Sequence, residues 1–124
     1  MNFVENNLYT FNWFNYHEFY EFVVSKNYKT FVEVGVWKGH SITYLGSLLN
    51  DRNVIIHAVD LWDETYKTVN DSSAYKCKDM LYDIYKENVK RANLKNDINS
   101  IKSLSWEAAS QFEDDSVDFV FIDA

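Results

Sequence analysis

Apolar residues recur along this chain in two alternating rhythms. Over 13–27, WFNYHEFYEFVVSKN, they stand at Trp13, Tyr16, Phe19, Tyr20, Val23 and Val24. That spacing is one face of a helix. The next segment, TFVEVGV over 30–36, is short, β-branched and aromatic, and Gly35 stops it. It predicts a buried strand. HSITYLGSLLN over 40–50 returns to helical spacing, with Ile42, Leu45, Leu48 and Leu49 on one face. NVIIHAVD over 53–60 is a continuous apolar run that ends in a carboxylate, the pattern of a strand covered on both faces. After a polar stretch, Ser72 or Ser73 can cap a helix read over 74–94, whose basic end suits the helix dipole. INSIKS reads as a third strand, SWEAASQF as a short helix with Glu107 in its first turn, and SVDFVFIDA over 116–124 as a fourth strand.

Strands alternating with helices predict an α/β fold, a Rossmann-like parallel sheet with flanking helices and right-handed crossovers. Residues 1–28 form an N-terminal aromatic helical segment and 29–124 the sheet domain. The last strand is strongly apolar and the pattern stops at its carboxyl edge. A bare edge of that kind is expected to be covered, so the sheet reads as truncated after its fourth strand. A missing C-terminal half or the partner in a homodimer would cover it.

Composition narrows the partners. Net charge is −7, from 12 basic and 19 acidic residues, which argues against nucleic acid, since that needs a basic face. The one cysteine, Cys77, has no internal disulfide partner and no zinc-type spacing around it. A reducing, cytoplasmic setting is the default. The start, MNFVENNLYTFN, lacks a basic segment followed by an apolar run. No stretch approaches the ~18 apolar residues of a membrane span, so no membrane partner is expected.

Ligands of an open parallel sheet bind at the carboxyl ends of its strands. Here those ends carry Glu33, Asp60 and Asp123, with Ser103 to Ser105 after the third strand. The turn after the first strand, GVWKGHS, fails the dinucleotide fingerprint, because Trp37 and His40 stand where glycines are needed. It also fails the phosphate loop, since Lys38 precedes Gly39. What survives is E-x-G-x-x-x-G-x-S, a turn into a helix N-terminus whose free N–H groups suit a single carboxylate. Asp60, about 20 residues past the glycine turn, is placed to accept ribose hydroxyls. The pattern asks for a ligand with a ribose, an amino-acid end, positive charge and little phosphate. S-adenosylmethionine has all of these.

Through VEVGVWKGHS, AVDLWD and DFVFIDA, in that order, residues 29–124 resemble the class I S-adenosylmethionine-dependent methyltransferases, in particular a small-molecule subfamily. The resemblance implies transfer of a methyl group to a small or sugar-type acceptor. It implies that Glu33, Gly35 and Gly39, with Trp37 in the same turn, cradle the methionine part. Ser41 would meet the methionine carboxylate or amine, and Asp60 the ribose. Leu61 or Trp62 would lie beside the adenine, Ser105 and Trp106 at its edge, and Asp123 beside the reactive methyl. In related cation-dependent O-methyltransferases a similar acid binds metal, which makes Asp123 the one metal candidate, although nothing else in the chain supports a divalent ion. No catalytic base is assigned.

Plainer readings stand beside these. Glu33 can pair with a lysine, Asp60 can cap a loop, Ser105 can be a helix N-cap, and His57 can be a packed strand histidine. His40 can reach a ligand from the turn. Two rival functions remain: a nucleotide-binding oxidoreductase domain, and a non-catalytic module that binds S-adenosylmethionine.

Overall fold

In the computed structural model of the chain, residues 14–62 and 81–123 are described. Along them run α1 (His17–Val24), β1 (Thr30–Val34), α2 (His40–Leu48), β2 (Ile55–Asp60), α3 (Leu81–Ala92), β3 (Ile98–Lys102), α4 (Ser105–Ala109) and β4 (Phe119–Ile122). Each lies inside a segment that periodicity predicted, and each is shorter at one or both ends. Trp13, the candidate caps Ser72 and Ser73, Cys77 and Ala124 lie outside the described residues.

All pairings are parallel, and the strand order is β3-β2-β1-β4. The chain therefore steps outward from β1 through β2 to β3, then returns to the other side of β1. The reversal falls between β1 and β4, where an α/β sheet opens a crevice at its carboxyl edge. Glu33 pairs with Ala58 on one side and Phe121 on the other, so it sits at the middle of the sheet, next to that reversal.

Side chains of a strand alternate between faces, and here the two faces differ sharply. One carries Phe31, Ile56, Ala58, Ile98, Phe119 and Phe121, and it is packed under α1, α2 and α3 with Tyr20, Val23, Ile42, Leu45, Leu81 and Tyr85. Glu33 belongs to this face. The other carries Val32, Val34, Val59 and Ile101 against Ala108, Phe112 and Val117. Among the described residues only the short α4 region covers it, and Val120 and Ile122 are 49% and 71% exposed.

Two polar clamps fix the frame. Asp118 accepts the N–H groups of Lys29 and Thr30 at 2.8 and 3.0 Å, which ties the start of β4 to the start of β1. Those two bonds hold its carboxyl below the usual range. Arg52, past α2, donates to the carbonyls of Val24 and Tyr28 and so fastens the end of α1 to the same edge of the sheet.

Candidate functional site

The turn from β1 to α2 is built from conformations that most residues avoid. Gly35 and Gly39 have φ of 84° and 89°, and Trp37 lies between them at 53°. A non-glycine residue there costs about 1–3 kcal/mol unless its surroundings hold it. They do. Gly35 N–H continues the ladder to Val59 O at 2.9 Å, and Gly39 N–H closes the turn on Val36 O at 3.0 Å. Asp60 Oδ2 accepts the N–H groups of Val36 and Trp37, both at 2.8 Å. The Trp62 indole donates to Trp37 O at 2.8 Å, and Asn88 to Lys38 O at 2.9 Å. A Cβ on Gly39 would come within 3.0 Å of the Tyr85 ring, so that glycine also permits the close approach of α3.

Asp60 is thus the buckle of the turn. Its other oxygen, Oδ1, accepts the N–H of Trp62 at 2.9 Å. The plain reading, an acid that caps a loop, describes this geometry, and any contact with a ligand is made by a carboxylate already fixed by three backbone donors.

Glu33 is 1% exposed, and among the described residues no lysine pairs with it. Its Oε1 accepts the hydroxyl of Tyr20 at 2.9 Å and the hydroxyl of Ser41. Its Oε2 is buried and has no hydrogen-bond partner among the described residues. Burial pushes this carboxyl up to about 8; the Ser41 and Tyr20 hydrogen bonds oppose the rise, and Asp123 and Asp60 add to it. Tyr20, buried beside an acid, is pushed well above the usual phenol range and stays a proton donor. Because Ser41 donates its one hydroxyl proton to Glu33, what it has left for a ligand is acceptor capacity. That suits an amine and not a carboxylate, which narrows the pair of roles expected for Ser41.

On the far side of Gly35 a cleft of about 160 Å³ is lined by Gly35, Asp60, Leu61, Ser105 and Trp106, with Val34, Val59, Ser103 and Leu104. Five residues singled out from the sequence meet in this one place. The cleft shares Val34, Val59, Ser105 and Trp106 with an apolar groove of about 420 Å³ that runs along the thinly covered face toward Val120 and Ile122. Trp106 is 69% exposed at the junction.

The structure corrects several expectations. Trp62 is 1% exposed and stacks on Tyr85 at 4.4 Å between ring centroids. It is core and does not line the cleft, whereas Leu61, the other residue offered for the adenine, does. Ser105 is the first residue of α4 and not its N-cap, which is Leu104. His40 is buried against Phe14, its ring 5.4 Å away. His57 packs edge-on to Phe112 at 5.0 Å, as the plain reading had it. Trp37 is half-buried, with Lys38 Nζ 4.5 Å from its ring. Asp123 is exposed just past β4, its N–H bonded to Val34 O at 2.8 Å. Among the described residues no three His, Cys, Asp or Glu gather to hold a metal ion, and no helix is long and apolar enough to cross a membrane.

Sequence reasoning missed Tyr20. The signal was present: a tyrosine on the apolar face of a helix must find a partner for its hydroxyl once buried, and a glutamate inside a buried strand must find donors.

No curated protein matches the chain in sequence. Among solved structures the chain is similar to the O-methyltransferase from Bacillus cereus in complex with SAH, with a TM-score of 0.64 and 19% identity. That likeness covers 97% of this chain and 48% of the other, so the chain spans about half the length of that neighbour. At this identity the likeness is one of fold. The family described as "Methyltransferase domain" matches residues 32–124. Its match takes in the turn after β1 and the carboxyl ends of all four strands, and the chain belongs to that methyltransferase-domain family.

Proposed function

We propose that the chain is the cofactor-binding part of an S-adenosylmethionine-dependent methyltransferase acting on a small-molecule acceptor. One observation carries the reading. A buried carboxylate with an unpartnered oxygen, Glu33 Oε2, stands at the carboxyl end of β1, next to the turn whose other side opens on a cleft rimmed by Asp60 and Leu61. A cation-bearing amino acid suits the first, and a nucleoside the second. The solved neighbour is in complex with SAH, a ligand of that description.

The chemistry such a cofactor supplies is an electrophilic methyl group on a positively charged sulfur. The chain's own residues then have binding and orienting roles. Glu33 and Ser41 take the ammonium of the amino-acid end. Gly35 lets the backbone approach closely, and Asp60 accepts from ribose hydroxyls at the rim. Leu61 and Trp106 give the adenine apolar cover, with Ser105 at its edge. Asp123, exposed past β4, favours positive charge near the reacting centre. Fixing donor and acceptor in line is the main catalytic task, and none of these residues needs to act as a base. With one cysteine in the chain, a reducing, cytoplasmic setting belongs to the same proposal.

A dinucleotide fits less well. Its pyrophosphate would meet the Trp37 indole and the three acids Glu33, Asp60 and Asp123, where like charges repel. Calorimetry on the 124-residue chain tests the choice. S-adenosylhomocysteine should bind and NAD should not; the reverse result overturns the reading. Binding without methyl transfer to any small hydroxyl, amine or thiol acceptor would favour the non-catalytic module.

A further inference from the structure

The helix α1 lies outside the stretch that matches the methyltransferase-domain family, which begins at residue 32. Yet α1 supplies one of the two hydroxyls that grip Glu33. Tyr20 is fully buried, with Phe121 and Phe119 at 5.6 and 6.3 Å from its ring, so the hydroxyl has little freedom to point elsewhere. Both donors, Tyr20 and Ser41, converge on the same oxygen. A carboxylate held by two donors at Oε1 presents only Oε2 to a third partner, and Oε2 is the atom left without one.

We infer that Tyr20 is a positioning residue for the cofactor's amino-acid end: with Ser41 it pins Glu33 Oε1, so that Oε2 alone is turned to the ammonium. This rests on the proposed function and deepens it. It makes the N-terminal helix a part of the cofactor site although it lies outside the family match. It also couples binding to a proton. Glu33 faces Tyr20 from α1, Ser41 from α2, Asp60 at the end of β2 and Asp123 past β4, and Tyr85 of α3 feels its charge. Among the described residues, none of these groups is a cation. In the free protein near neutral pH Glu33 keeps its proton. When the ammonium arrives, that proton leaves to solvent and the ion pair replaces the O–H bond.

The test compares S-adenosylhomocysteine with 5′-methylthioadenosine, which has the nucleoside and thioether but no amino-acid end. In the unaltered chain, affinity for S-adenosylhomocysteine should rise as pH is raised from about 6 to about 8, while affinity for methylthioadenosine stays level. Tyr20→Phe should weaken S-adenosylhomocysteine by about tenfold, the worth of a hydrogen bond to a charged group, and leave methylthioadenosine unchanged. Because the Tyr20 hydrogen bond lowers the Glu33 pKa, the variant's binding should level off at a higher pH, which a merely structural loss would not produce. Should Tyr20→Phe fail to fold, Ser41→Ala removes the other donor to Oε1 from a half-buried site; its pH profile should shift upward in the same way, which loss of a direct Ser41 contact with the ammonium would not produce, and an unshifted profile overturns the inference. A folded Tyr20→Phe with unchanged affinity and pH profile overturns the inference and leaves the proposed function standing. If the unaltered chain binds neither ligand, both fall. Equal losses for the two ligands in a folded variant also overturn the inference.

Discussion

Replacing Glu33 by glutamine should change how stability depends on pH, and the size of the change follows from burial. In the folded chain burial pushes the Glu33 carboxyl up to about 8, against 4.5 for an ordinary glutamate. Between those values the folded state keeps a proton that the unfolded chain has released. The contribution is therefore fully present below the unfolded value and is lost as pH rises through the folded one. Integrated from about pH 5.5 to about pH 8.5, the loss amounts to roughly 3 kcal/mol, a large share of a small domain's stability. Glutamine carries no titrating proton. Its carbonyl can accept from Tyr20 and Ser41 as Oε1 does, while its amide needs an acceptor and costs about 1–3 kcal/mol if it finds none. That cost does not vary with pH. Urea unfolding of both proteins, pH by pH, isolates the effect, because groups such as Asp118 titrate alike in each and cancel. The difference curve should tilt in favour of Glu33→Gln by roughly 3 kcal/mol toward the alkaline end. A difference constant to within about 0.5 kcal/mol across the range would refute a raised, buried Glu33.

Three further outcomes are expected. Gly39→Ala forces an L-residue into φ of 89° with its Cβ 3.0 Å from Tyr85, so thermal unfolding should show a loss of about 1–3 kcal/mol; an unchanged midpoint would mean that the turn and α3 yield freely. Trp106→Ala, at a site 69% exposed, should leave stability within about 0.5 kcal/mol, and calorimetry should show about tenfold weaker S-adenosylhomocysteine binding from the lost ring contact. Equal affinity would remove Trp106 from the adenine site. Asp60→Ala strands three backbone N–H groups and should destabilise the fold by about 3 kcal/mol or more, whereas Asp60→Asn keeps an acceptor and should lose less stability. Denaturation midpoints in the order Ala above Asn would contradict the buckle.

How much of this was legible depends on how local each signal is. The four strands followed from short β-branched or apolar runs with turn residues around them, and their parallel pairing from the helices between. Five cleft residues were found because they cluster just after strand ends, which a parallel sheet brings together whatever the details. Trp62 was misjudged for the same reason. Its place after Asp60 suggested the rim, but its φ of 53° turns the indole inward onto Tyr85, and one dihedral is not written in composition or period. Tyr20 was read as core, correctly, and its hydroxyl was overlooked. Its partner lies 13 positions away on another element, and only the packed helix brings them together. Asp60 shows a third limit: residue type and position announce an acceptor, but whether backbone or ligand supplies the donors is a matter of angstroms.

The buckle at Asp60 has a consequence for observing the site. The amides of Val36, Trp37 and Trp62 all end on one carboxylate. Whatever draws on that carboxylate at the rim must alter the electron density that those three N–H groups feel. They are built-in reporters: their proton chemical shifts should move together, and their exchange with deuterated water should slow together, when a nucleoside occupies the cleft. The glycine turn and the Asp60 rim are in this sense one mechanical part, and a spectroscopist could follow occupancy from the three amides bonded to Asp60.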